Sequence, residues 1–245
     1  GRLATTPPGE VTVADVVALV GRNRAFVTQG LKVMRQRANI GLRALADAAG
    51  LAEPPSTYHL GYILGPRINA GGRIGDAALG ARLLATGDEA DAARIAELLD
   101  RLNKERKAIE TRILEEAIAE AEKIVDAAPD LAVVMVGSEA WHKGVVGLVA
   151  SRLVERFRRP ACVIAWDGAG EGGERLGTAS LRSVPGVDIG KAVRAGVAAG
   201  HLVKGGGHAM AAGLTVTREA LAGLEAFLAA ELAPSAGRAR AEASL

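Results

Sequence analysis

DEADAARIAELLDRLNKERKAIETRILEEAIAEAEKIVDAA, residues 88–128, runs for 41 residues without a proline or glycine. Within it Ile95, Leu98, Leu99, Leu102, Ile109, Ile113, Ala117, Ile118, Ala121 and Ile124 recur at threes and fours, the period of one helical face. Thr86 and Glu89, just before it, have the spacing of a capping box. One helix of that length is about 60 Å long at 1.5 Å per residue, more than a compact domain needs. A helix bridging two lobes and a coiled coil both fit its single stripe. The bridge is preferred, because the pattern changes completely at Pro129.

Beyond Pro129 apolar runs and helical periods alternate, as in α/β proteins. Strands are expected at Leu131–Val136, Ala161–Trp166, Glu174–Leu181 and Gly213–Val216, and helices at Gly144–Phe157, Ile189–Ala199 and Arg218–Leu232. Residues 234–245 read as a frayed tail or a truncated linker. Before the long helix, residues 11–60 read as short helices broken by turns, with Gly50 placed to cap one, until Pro54-Pro55 stops regular structure. The fold class is α/β in two lobes, with boundaries at 1–87, 88–128, 129–233 and 234–245.

The 245 residues are 49% hydrophobic and 24% charged, with mean hydropathy +0.18, which excludes a disordered chain. No apolar run is long enough to span a bilayer, and residues 1–10 have no apolar leader segment. A lone cysteine, Cys162, rules out a disulfide framework and suits the reducing cytosol, so a cytoplasmic location is expected. Arginine outnumbers lysine 23 to 7 beside 49 alanines, a bias that GC-rich codons explain as well as selection does. Net charge is only +2, yet residues 88–126 hold 12 acids and 7 bases, so the remainder is basic. Arg22, Arg24, Lys32, Arg35, Arg37 and Arg43 follow one another with no acid between them. Such a run fits a polyanionic partner, and equally a solvated face in an arginine-rich proteome.

Four short stretches bear on chemistry. Gly168-Ala-Gly170-Glu-Gly-Gly173 matches a dinucleotide pattern, but a β-like segment follows it where a helix is required, so a hairpin loop is the better reading. Gly205-Gly206-Gly207-His208-Ala-Met-Ala-Ala-Gly213 could bring backbone close to an anion, with His208 donating to it; a plain glycine turn is the alternative. Ser180-Leu-Arg182 sets a hydroxyl and a guanidinium on one face of a strand, where both could grip one phosphate. Trp141-His142-Lys143-Gly144 could place donors at a helix start or serve as packing at its entry. His59, His201 and Cys162 are read as structural.

Leu-Gly-Pro-Arg67-Ile-Asn69-Ala-Gly-Gly-Arg73-Ile-Gly-Asp76, Trp141-His142-Lys143-Gly-Val-Val-Gly, Ser180-Leu-Arg182-Ser-Val-Pro-Gly and Gly-Gly-Gly-His208-Ala-Met-Ala-Ala-Gly occur in this order. Together they resemble the RecJ family of single-strand-specific 5′→3′ DNA exonucleases, over about residues 11–232. The resemblance implies the C-terminal part of a DHH-type phosphodiesterase lobe, a connecting helix and a DHHA1-type substrate-binding lobe. It also implies single-stranded DNA as substrate, with single-stranded-DNA-binding protein and a helicase as partners, and Mn²⁺ or Mg²⁺ as cofactor. By the same resemblance Arg67, Asn69, Arg73, Ser180, Arg182, Gly206, Gly207 and His208 hold substrate, His208 also being the catalytic candidate, and Asp15 is a metal ligand. No Asp-His-His triplet, the family's metal-binding signature, occurs anywhere in the chain. Other readings are a non-catalytic nucleic-acid-binding module and a phosphodiesterase of short oligonucleotides or cyclic dinucleotides.

Overall fold

The computed structural model describes Val13, residues 17–170 and residues 173–243. The chain divides into two compact units, one ending at Lys107 and one beginning at Ala108.

The first unit is helical among its described residues: α1 (Gly21–Arg35), α2 (Ile40–Ala48), a π-helical turn (His59–Leu64), α3 (Gly65–Ile74) and α4 (Ala78–Ala85). Asn39 caps α2 by accepting from the Leu42 amide, and Gly50 ends it with φ +69°. Leu51 N then donates to Ala46 O and Gly50 N to Asp47 O, the paired bonds of a Schellman end. Leu45, Leu60, Leu64, Leu83, Ile95 and Leu99 form its core. The glycine-rich stretch 61–75 is helical, and glycines in and after it allow close packing. A Cβ at Gly71 would meet Asp76 O at 2.8 Å, and one at Gly80 would meet Ile68 Cγ2 at 2.8 Å.

The 41-residue stretch is one helix, α5 (Glu89–Ala127), as its periodicity predicts. Its cap differs from the expected box. Asp88 accepts from the Asp91 amide at 2.7 Å, while Thr86 Oγ1 accepts from Asp88 N. The stripe divides into Ile95 and Leu99 in the first unit's core and Ile113, Ala117 and Ala121 in the second's. Between them Asn103 and Arg106 are also buried, Arg106 Nη2 donating to Asn103 Oδ1 at 3.0 Å.

The second unit is a five-stranded sheet between helices. Strands β1 (Val134–Ser138), β2 (Ala161–Ala169), β3 (Arg175–Arg182), β4 (Lys204–His208) and β5 (Ala211–Thr217) lie in the order β1-β2-β3-β5-β4. Only β1 and β2 are parallel, joined by α6 (Val146–Phe157). β2 is apolar on both faces because both are covered. Ala161, Val163 and Ala165 meet α6 and the second half of α5, while Cys162, Ile164 and Trp166 join the core under α7 (Ile189–Ala198) and α8 (Leu221–Ala243).

Two expectations need correction. The triple-glycine stretch, for which the sequence pattern predicts no strand, is not a glycine turn: it is the edge strand β4, paired with β5 from Lys204–Thr215 to His208–Ala211. Glycines leave no side-chain alternation by which a strand is recognised. Nor does the chain fray after Ala233. α8 continues through Pro234 to Ala243, with Leu232 and Ala236 buried and Arg240 donating to the Leu131 and Asp130 carbonyls. Gly168–Leu176 and Ala169–Arg175 pair across the β2–β3 hairpin, in keeping with the hairpin reading of the dinucleotide-like stretch.

Candidate functional site

The sheet register assembles the site in the second unit. Ser180 on β3 stands opposite Gly213 on β5, which stands opposite Gly206 on β4. Two residues along, Arg182 is opposite Ala211 and Ala211 opposite His208. Paired residues point to the same side of a sheet, and so do residues two apart. Ser180, Arg182, Gly206 and His208 therefore share one face. With strands about 4.8 Å apart, Arg182 and His208 lie roughly 10 Å from each other across the sheet.

That face is covered over β1–β3 by α6 and left bare over β5–β4 by the described residues of the second unit. Among the described residues nothing stands within 4 Å of a Cβ at Gly206, and a Cβ at Gly213 would meet only Ala179 O, at 3.8 Å. Where the cover ends, Gly147 on the first turn of α6 faces both donors. A Cβ there would lie 3.0 Å from Arg182 Nη2 and 3.3 Å from Ser180 Oγ. Two hydrogen-bonding side chains thus converge beside exposed backbone. The sequence carried a sign of this in Val146-Gly147-Leu148: a glycine within an apolar helical run costs about 1 kcal/mol relative to alanine, and close approach of another group is a reason to keep it there.

Arg182 is half-buried, and burial pulls its pKa below the usual arginine value while leaving it cationic. Its Nη1 donates to Leu181 O at 2.8 Å, and among the described residues no carboxylate pairs with it. A desolvated cation with only a carbonyl for company favours an anion. His208 is exposed, and the Met210 amide donates to its Nδ1 at 3.3 Å. A neutral imidazole accepting at Nδ1 carries its proton on Nε2, which makes that atom a donor.

Gly207 faces the other way. Its Cβ would strike Ala211 O and the Ala212 backbone, and its carbonyl accepts from Arg194 Nη1 at 2.8 Å. Gly190 on α7 is equally confined, since a Cβ there would meet Gly207 O and His208 O at 2.8 Å each. These two glycines hold β4 tightly on α7 and so fix the level of His208.

Arg67, Asn69 and Arg73 all lie on α3, in the first unit. Arg67 is committed to the protein itself: Nε donates to Asp100 Oδ1 at 2.9 Å and Nη1 to Ile63 O at 2.7 Å. Asp100 is 8% exposed and also takes Lys104 Nζ at 2.7 Å. Burial alone would raise its carboxyl pKa, but the bonds from Lys104 and Arg67 outweigh burial and hold it below the ordinary value. Asn69 is exposed, and Arg73 is half-buried in the last turn. In the basic run, Arg37 pairs with Asp47 and Arg43 with Glu89.

Trp141 is a packing residue, buried with Nε1 donating to Glu116 Oε2 at 2.7 Å. His142 accepts from the Gly144 amide, and Lys143 pairs with Asp167 at 3.1 Å. The residues read as structural are so placed. Burial pushes the Cys162 thiol up to about 12; His59 accepts from Ser56 N, and His201 lies against Phe227. Asp15 lies outside the described residues. Among the described residues no three His, Cys, Asp or Glu side chains cluster to hold a metal ion. They do not make up a two-metal site. Nor is any helix among them long and apolar enough to cross a membrane.

A family model for the DHHA1 domain matches residues 129–233. The single-stranded-DNA-specific exonuclease RecJ of Dickeya dadantii is 40% identical over 215 residues, 85% of this chain and 36% of the relative. That of Escherichia coli is 39% identical over 214 residues, with the same shares. The chain thus spans about a third of the length of these relatives. Among solved structures, Mg²⁺-bound RecJ from Thermus thermophilus superposes with a TM-score of 0.79 at 31% identity, over 92% of this chain and 33% of that one. A manganese-bound exonuclease RecJ gives 0.75 at 31%, over 97% and 59%. By sequence motifs, fold and superposition alike, the chain resembles the RecJ exonucleases over most of its own length, and its residues 129–233 match the DHHA1 domain.

Proposed function

We propose that this chain supplies the end-binding part of a single-strand-specific 5′→3′ DNA exonuclease. The terminal 5′-phosphate sits against the bare face of β5 and β4, held by Ser180 Oγ and the Arg182 guanidinium. Gly206 and Gly213 let the sugar–phosphate chain lie directly on backbone, and His208 Nε2 donates to a phosphate oxygen. Gly207 serves indirectly, by seating β4. Asn69 and Arg73 contact the strand from α3, while Arg67 orders that helix through Asp100. In the whole protein a divalent cation, Mn²⁺ or Mg²⁺, would supply activated water and charge neutralisation. Partners of the kind that present or protect single strands belong to the same reading.

One observation carries it: a cation and a hydroxyl converge on Gly147 at the edge of an uncovered glycine surface, with no carboxylate pairing the cation among the described residues. Fluorescence anisotropy with 5′-phosphorylated and 5′-hydroxyl strands tests it. The phosphorylated strand binds more tightly, and Arg182→Ala removes the preference, a charge-assisted contact being worth roughly 1.5–3 kcal/mol. Arg35→Ala weakens both strands alike. Equal affinity for the two ends in the unmutated protein would leave only a generic basic surface.

A further inference from the structure

The chain is poor in aromatic residues, 3% in all, and has only two tyrosines. Both stand in one exposed stack. Tyr58 is 60% and Tyr62 71% exposed, with ring centroids 5.1 Å apart and ring planes 26° from parallel. Tyr58 is the N-cap of the π-helical turn His59–Leu64 and Tyr62 lies within it, a local form costly enough to be uncommon and frequent at functional sites. Tyr58 also meets the His59 ring edge-on at 5.8 Å. The turn runs directly into α3, so Tyr62, Pro66, Asn69 and Arg73 follow at intervals of four, three and four residues, along one helical face. Aromatic rings, a proline, an exposed amide and an arginine in line are the chemistry that tracks an unpaired strand: bases stack on rings, and polar groups meet the backbone. Burying neither tyrosine while stacking them leaves an outer ring face open to a third ring.

We infer that Tyr58 and Tyr62 form a stacking platform for an unpaired base of the bound strand, a role that rests on the single-strand reading above. The platform is indifferent to base identity, because every base offers a π-face, and it needs the base itself and not its phosphate.

The test compares a labelled oligothymidylate with an abasic strand of the same length, charge and 5′-phosphate, by anisotropy at one salt concentration. The unmutated protein is expected to bind the thymidylate more tightly. The paired change Tyr58→Leu and Tyr62→Leu keeps apolar bulk but removes the rings; it is expected to weaken thymidylate binding by roughly 5- to 30-fold and leave abasic binding unchanged. Tyr62→Trp alone is expected to preserve the difference. Equal weakening on both strands, or none on either, overturns the platform. Should the leucine variant fail to fold, the unmutated protein decides, since equal affinity for the two strands also overturns it. Binding of neither strand overturns the single-strand reading itself.

Discussion

Gly147 offers the sharpest perturbation, because it reaches Arg182 without altering a charge. A Cβ at 147 would stand 3.0 Å from Arg182 Nη2, 3.3 Å from Ser180 Oγ and 3.6 Å from Ser180 Cβ. Ordinary contact begins near 3.5 Å, so alanine obliges the guanidinium to yield by roughly half an ångström. The tip of an arginine can do that, and the helix gains propensity in return, so Gly147→Ala is expected to leave stability within about 1 kcal/mol. Valine adds two methyl groups about 1.5 Å further out, where guanidinium and hydroxyl now lie. Gly147→Val should therefore displace both donors from the bare face. If each contact with a terminal phosphate contributes about 1.5 kcal/mol, the 5′-phosphate preference falls by tenfold or more. Binding of a 5′-hydroxyl strand should change little. Anisotropy on both strands, with a thermal melt to confirm folding, reads the outcome. A folded Gly147→Val protein that keeps the full preference would refute the convergence of Ser180 and Arg182 on one phosphate.

Gly190→Ala should destabilise the second unit by about 1–3 kcal/mol in denaturant unfolding, because its Cβ meets β4 backbone, which cannot swing aside. Arg67→Ala should cost about 2 kcal/mol near neutral pH by leaving the buried Asp100 with Lys104 alone. Asp100 has a folded pKa below its unfolded one, so its stabilisation is complete above the unfolded value and fades as pH falls through the folded value. The deficit of Arg67→Ala should accordingly shrink in acid, which unfolding at pH 7 and pH 3 will show. The chain by itself, given millimolar Mn²⁺, should release no nucleotides from a single strand, since the Asp-His-His signature is absent from its sequence. Metal-dependent release abolished by Asp15→Ala would contradict that.

Much of the architecture is legible because strong local signals agree. In α5 the breaker-free run, the apolar stripe and an acidic first turn all point to one helix. In β2 an unbroken apolar run marks a strand covered on both faces. The Ser180–Arg182 spacing rightly places both on one side of β3. The less legible parts are those where glycine replaces the signal. β4 is Lys-Gly-Gly-Gly-His, with no alternation to read, and 61–75 shows no readable period until Gly71 and Gly80 are seen to admit neighbouring helices. Burial of Asn103 and Arg106 is hidden because polar residues on a stripe normally mark its solvent side. Pro234 misleads in the opposite sense: the side chains after it, Ala236 above all, hold α8 to the core. The partnership of Arg67 with Asp100 links residues 33 apart in sequence, beyond any local pattern.

The central claim is that a terminal phosphate rests on the bare face beside Gly147. A crystal structure of the chain with a short 5′-phosphorylated oligonucleotide tests it most directly. The phosphate should lie within about 3 Å of Ser180 Oγ and an Arg182 Nη atom, over the backbone of Gly206 and Gly213. A phosphate bound instead along the basic run of α1, with Ser180 and Arg182 untouched, would contradict it.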